Sequence, residues 1–313
     1  MTTSARTASS SKGDIPGVVH SGAVRLTVNQ RPYAGDIPST SVSASTVARE
    51  YRLVQPSCRP SSARLSNYLL GGKDHYESDR QLAARLLQVA PWLERAEDLN
   101  CRFASYATAV AADRGVGQFL DLGCGLPQPF GLDLHEVALT YQDRVRVLYV
   151  DHDLHVIAHA RALMNPGDPV VAAHLPANVL DIDRVLSCAA KVFDLGRPVA
   201  VSLHGVLDLC PDDDAVRAML DALVAWLPAG SCLSVSHLTG DFRPEDVCHV
   251  AALCAEAGLP LRPRSRQEVI GFFNGLEVLD PGVTAISEQL RGALAFTHPP
   301  KVSAAWSGIA VKP

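Results

Sequence analysis

The chain has 313 residues, and a hydrophobic share of 47% is enough to bury one large α/β core or two small ones. A net charge of −5 and a pI near 6.1 argue against a nucleic-acid or anionic-membrane partner. No apolar stretch approaches the roughly 20 residues of a membrane span, and the eight cysteines include no C-x-x-C pair. Reduced thiols in a cytoplasmic protein are therefore expected, not a disulfide framework or a zinc site.

Residues 1–55 are rich in Ser, Thr, Pro and Gly without sustained periodicity, and read as a flexible N-terminal extension. A helical segment is expected over 56–115. Its first helix opens at Ser78 or Asp79, carries Leu82, Leu86 and Val89, and stops at Pro91. The second runs from Leu93 to Asp113 with Leu99, Phe103, Tyr106 and Val110 on one side, and ends at Gly115.

From 116 to 313 strands and helices alternate. Strands are expected near 118–122, 145–150, 169–173, 198–203, 231–237, 276–279 and 302–311. Helices fit at 153–164, at 212–227 with Asp212 as N-cap, from Pro244 to Gly258, and from the capping box Ser265–Glu268 to Phe272 or Phe273. Such alternation means a doubly wound, mostly parallel seven-stranded sheet, with the last two strands pairing antiparallel at one edge and the N-terminal helices preceding it.

The most specific local pattern is Asp121-Leu122-Gly123-Cys124-Gly125, which closes the first strand and is answered by Asp151 at the tip of the second. A strand ending in a glycine turn, beside one ending in an acid, holds a nucleoside-containing cofactor: the glycines admit close backbone approach and the acid accepts the ribose hydroxyls. A dinucleotide fingerprint needs a third glycine, but here Leu126-Pro127-Gln128-Pro129 follows, and those prolines forbid the helix start that grips a pyrophosphate. A cofactor without phosphates fits better, S-adenosylmethionine above all. Asp121 would then offset the ammonium at its amino-acid end.

The string Asn67-Tyr68-Leu69-Leu70-Gly71-Gly72-Lys73-Asp74-His75-Tyr76, preceded by Ser62-Ala63-Arg64, resembles the N-terminal signature of a family of S-adenosylmethionine-dependent methyltransferases long catalogued as a domain of unknown function. The resemblance extends through Asn100 with Arg102-Phe103, Gln118 to Gly123, His135 to Ala138, Ala158 to Leu163, Ser236-His237 and Phe272 to Glu277. It implies the Rossmann-like methyltransferase fold and S-adenosylmethionine as cofactor. It also implies that Tyr68, Gly72 and Lys73 lie near the cofactor in an N-terminal lid, that Gly123 and Gly125 contact the methionine moiety, and that Asp151 contacts the ribose.

Two departures from the family pattern stand at the pocket edge. Asn178, followed by Val179, replaces the aspartate usual beside the adenine amine, and can still accept from that amine through its side-chain oxygen. At the tip of the fourth strand the chain reads His204-Gly205-Val206-Leu207-Asp208. His204 is a candidate general base or acceptor-orienting group, oriented by Asp208 should the segment turn helical; equally, it could bond a backbone carbonyl and do no more. His237, at the end of the fifth strand, is expected to shape the pocket and is a lesser catalytic candidate. The apolar bias of the lid helices points to a small apolar or aromatic methyl acceptor and away from nucleic acid. Two alternatives are a cofactor-binding protein of this fold with another reaction or a sensing role, and a nicotinamide-dependent oxidoreductase.

Overall fold

The computed structural model describes residues 59–164, 166–293 and 298–313; the extension expected over 1–55 lies outside the described residues. Eight strands, β1 (Gln118–Leu122), β2 (Val145–Asp151), β3 (Val170–Pro176), β4 (Ala200–His204), β5 (Cys232–Leu238), β6 (Glu277–Val278), β7 (Thr284–Ala285) and β8 (Ala305–Val311), form one sheet. Its order is β3-β2-β1-β4-β5-β8-β6, with β7 also on β8. β1 to β5 are parallel, and β8 runs antiparallel to β5, β6 and β7. The reversed strand expected near one edge is therefore β8. The outermost position is split between two two-residue strands, because Asp280-Pro281-Gly282 turns between them and proline cannot donate to a ladder.

Alternate side chains of the central strands serve two cores, as the two-residue period of a strand requires. Leu120, Leu122, Leu148, Val150, Val201, Leu203, Leu233 and Val235 pack on one face, and Phe119, Val145, Val147, Tyr149, Ala200 and Cys232 on the other. Burial on both faces explains why these strands read as near-continuous apolar runs. The helices are α1 (Ser62–Leu69), α2 (Glu77–Val89), α3 (Leu93–Asp113), α4 (Leu134–Leu139), α5 (Leu154–Leu163), α6 (Ile182–Val192), α7 (Asp213–Trp226), α8 (Pro244–Glu256), α9 (Arg266–Gly271) and α10 (Ile286–Gln289). α6 and α7 cover the first face through Val185, Ala189, Val216, Met219 and Leu220; α3, α4 and α5 cover the second through Ala111, Ala112, Ala138 and Ala160.

Caps act where the sequence signals them. Asp212 accepts from Asp214 N and Ala215 N, and Ser265 and Glu268 form a reciprocal box. The N-terminal helices close over the carboxyl ends of the strands: Leu82 and Leu86 of α2 and Trp92 pack against Val247, Val250 and Cys254 of α8.

Candidate active site

Neighbouring β1 and β4 lead their chains away in opposite directions across the sheet, so a crevice opens at their carboxyl ends. Gly123 follows β1 at φ +75°, and a Cβ there would stand 2.5 Å from Val206 of the β4 loop; only glycine lets the two loops meet this closely. A Cβ at Gly125, by contrast, would meet nothing within 4 Å. From this crevice a cavity of ≈ 670 Å³ extends under α1, α3 and α8. Asp121, Gly123, Gly125, Asp151, Asn178, Val179, His204, Asp208 and His237 all line it, contributed by β1, β2, β4, β5 and the segments that follow β1, β3 and β4.

Asp151 is buried, with Oδ2 accepting from Gly125 N at 3.1 Å and Oδ1 from Asp153 N at 2.9 Å. These bonds aim the carboxylate along the glycine turn. Burial raises its pKa, partly offset by the Asp153 N–H and by His152. Asp121 receives no hydrogen bond among the described residues; burial, followed by the charges of Asp151 and Asp133, raises it to about 7. Asp133, bonded by Gln128 N at 2.9 Å, is raised by burial to about 6. Several desolvated carboxylates thus face one space, and the cavity's Arg64 is already committed to Asp79 at 2.8 Å. Such a site favours a ligand that brings positive charge and no phosphate. S-Adenosylmethionine, with its sulfonium and ammonium, fits that donor set.

Asn178 is exposed, and its Oδ1 accepts from Leu180 N at 2.9 Å. The turn thus takes one lone pair of the oxygen expected to face an adenine amine, while the side-chain NH₂ stays free to donate.

The expected His204–Asp208 pairing does not occur. Gly205 adopts φ +69° and Leu207–Leu209 forms a single 3₁₀ turn, so the continuous helix that would align the two side chains is absent. His204 Nε2 instead meets Ser234 Oγ at 3.0 Å, and its ring lies edge-on to Phe103. Burial lowers its pKa to about 4, so it is neutral at pH 7. Asp208 joins a different chain of contacts. Arg264, 2% exposed, donates to His237 Nε2 at 2.9 Å. That assigns the His237 proton to Nδ1, which donates to Leu238 O at 2.8 Å and lies 3.1 Å from Asp208 Oδ1. Both ring nitrogens of His237 are therefore committed.

Tyr68, Gly72 and Lys73, expected beside the cofactor, do not line the cavity. Tyr68 packs edge-on to His75, and Lys73 is exposed. Gly72 lies against the Asn67 amide, where a Cβ would stand 2.4 Å from Oδ1. The lining from this segment includes Arg64, Ser66 and Asn67 of α1 and the flanking Ser61 and Leu70. Ser61 Oγ donates to Asp153 at 3.0 Å and ties α1 to the turn that holds Asp151.

Sequence reasoning missed Glu97. It lies on α3 in a row of lining residues, Glu97, Asn100, Cys101, Ala104 and Thr108, whose spacing puts them on one helix face. The signal was present as small and polar residues opposite the apolar row of Leu99 and Phe103.

Residues 51–313 match the profile of the S-adenosyl methyltransferase family. The chain belongs to this family. Two solved structures support the assignment. A protein of the family DUF574 from Streptomyces avermitilis is 31% identical, with a TM-score of 0.75 over 82% of this chain and 98% of its own. One from Thermobifida fusca, assigned as a methyltransferase, is 30% identical, with a TM-score of 0.74 over 81% and 95%. No functionally curated protein matches. This S-adenosyl methyltransferase has the mostly parallel sheet and reversed strand expected of the fold, and no helix among its described residues is long and apolar enough to cross a membrane.

Proposed function

We propose that the protein methylates a small, largely apolar molecule held in the chamber beside the glycine turn, chiefly by positioning it. The observation that carries this reading is the continuity of the ≈ 670 Å³ cavity, which runs from Asp151 and Gly125 to a wall formed by Leu86, Trp92, Val250 and Leu261. When bound, S-adenosylmethionine supplies a methyl group made electrophilic by its positively charged sulfur. In this reading Asp151 accepts the ribose hydroxyls, Gly123 and Gly125 admit the methionine moiety, and Asp121 pairs with the ammonium. Asn178 donates its side-chain NH₂ to the adenine edge, and Val179 packs beside it. His204 orients the acceptor through Nδ1, which has no hydrogen-bond partner among the described residues. It is not a proton store at neutral pH, because burial holds it near 4.

Incubating a cell extract with the protein and isotopically labelled S-adenosylmethionine tests the proposal. Label should appear in a small apolar product. Label only in protein or nucleic acid contradicts the acceptor class, and binding of NAD in place of S-adenosylmethionine in calorimetry contradicts the whole reading.

A further inference from the structure

On the β4–β5 side of the cavity, three elements bring polar atoms onto an otherwise apolar wall. Glu97 of α3 accepts from Ser66 Oγ through Oε1 at 2.6 Å, and its Oε2 has no partner among the described residues. Asp208 accepts Leu238 N–H through Oδ1 at 3.0 Å, the oxygen that faces His237, and its Oδ2 is likewise unpartnered. Gly205 leaves open the point where a Cβ would stand, 3.5 Å from Asn100 Nδ2 and 3.9 Å from Asp208 Oδ2. Asn100 is fixed there by Ser236 Oγ, which donates to its Oδ1 at 2.6 Å. His204 sits next in the chain, with Nδ1 unpartnered. Around these atoms the lining is Leu86, Trp92, Val250, Cys254 and Leu261.

We infer that the methyl acceptor is an amine on a small apolar body, its ammonium held by Glu97 Oε2 and Asp208 Oδ2. This rests on the methyl-transfer reading above and names the substrate class of that site. No cationic side chain among the described residues pairs with Glu97. Arg264 hydrogen-bonds His237 and not Asp208, an arrangement that holds Asp208 in place while leaving Oδ2 to the cavity. An apolar alcohol or phenol leaves two acids, each raised by burial, facing each other with no counter-charge, and a carboxylate adds a third. An ammonium relieves both. The acceptor must then become a free amine. Burial, with a smaller contribution from Asp208, raises the Glu97 carboxyl, which makes it a better proton acceptor than a carboxylate in water. With the proton on Glu97 Oε2, the nitrogen lone pair forms the N–CH₃ bond as the CH₃–S bond breaks. That electron pair stays on sulfur, and the positive charge passes from sulfur to nitrogen.

The test is calorimetry on the full chain saturated with S-adenosylhomocysteine, so that no turnover enters the readout. The probes are benzylamine, 2-phenylethylamine and tryptamine, each against the alcohol of the same skeleton. At least one amine should bind ten-fold or more tightly than its alcohol. Glu97→Gln and Asp208→Asn, both nearly isosteric, should each cut that preference at least five-fold with S-adenosylhomocysteine affinity unchanged. Alcohols binding as well as the amines, no probe binding at all, or both variants keeping the full preference would overturn the inference. Failure of S-adenosylhomocysteine to bind the wild-type protein would instead overturn the underlying methyltransferase reading, so the two failures are distinguishable.

Discussion

Asp121 best shows function set against stability. Its carboxyl is held at about 7 against an ordinary 3.8 by burial and by Asp151 and Asp133. The folded chain therefore binds this proton more tightly than the unfolded chain. The contribution is full below pH 3.8 and is lost as pH rises through 7. Asp121→Asn, which cannot ionise, should make the ligand-free protein more stable at pH 8 by about 2–4 kcal/mol, read by denaturant unfolding. The cost falls on the cofactor. Wild-type affinity for S-adenosylmethionine should climb with pH up to about 7 and then level off, whereas the variant should bind more weakly without that climb; calorimetry at several pH values checks both. Gly72 and Lys73 make a second contrast. Gly72→Ala drives a Cβ against the Asn67 amide and should cost about 1–3 kcal/mol in denaturant unfolding. Lys73→Ala, at an exposed position, should stay within about 0.5 kcal/mol.

At the scale of elements, α1 is held to α2 by one buried group. Asp79, 0% exposed, accepts from Arg64 Nε at 2.8 Å, from Tyr76 N at 2.7 Å and from Ser61 N at 2.9 Å. Asp79→Ala takes from the buried Arg64 its nearest carboxylate and leaves Tyr76 N and Ser61 N without their acceptor, and should cost about 3–5 kcal/mol, measured by thermal or denaturant unfolding. Because Arg64 and Ser61 also reach Asp153, the same change should weaken cofactor affinity.

The legibility of the elements follows from their physics. β1, β2, β4 and β5 are buried on both faces and stand out as apolar runs, while α3, α7 and α8 announce themselves by periodicity or caps. α1 and α4, eight and six residues long, are too short for periodicity to show. α6, absent from the expected elements, carries a plain helical spacing in Ile182, Val185, Leu186 and Ala189. β8 begins at Ala305 and not at 302, because Pro300–Val302 forms a 3₁₀ turn. At the site, the strand-tip residues were legible because a glycine turn and a terminal acid are local signals. The partner of Asp208 was not, since His237 and Arg264 reach it from distant parts of the chain.

For the molecule as a whole, the sheet order decides where chemistry takes place. The reversal between β1 and β4 opens the crevice, the loops after the parallel strands with α1 and α3 supply polar groups, and α2 and α8 add the apolar Leu86, Val250 and Cys254. In the proposed reading, one end binds the cofactor while the other takes the acceptor. The central claim is that the glycine turn and the Asp151 carboxylate together hold S-adenosylmethionine. Titrating S-adenosylmethionine into wild-type protein and into Asp151→Ala by calorimetry at pH 8 tests it most directly. The account predicts saturable one-to-one binding to the wild type and at least about ten-fold weaker binding to the variant, the loss expected when a charged acceptor of hydrogen bonds is removed. Equal affinity in the two proteins, or no binding to the wild type, would contradict it.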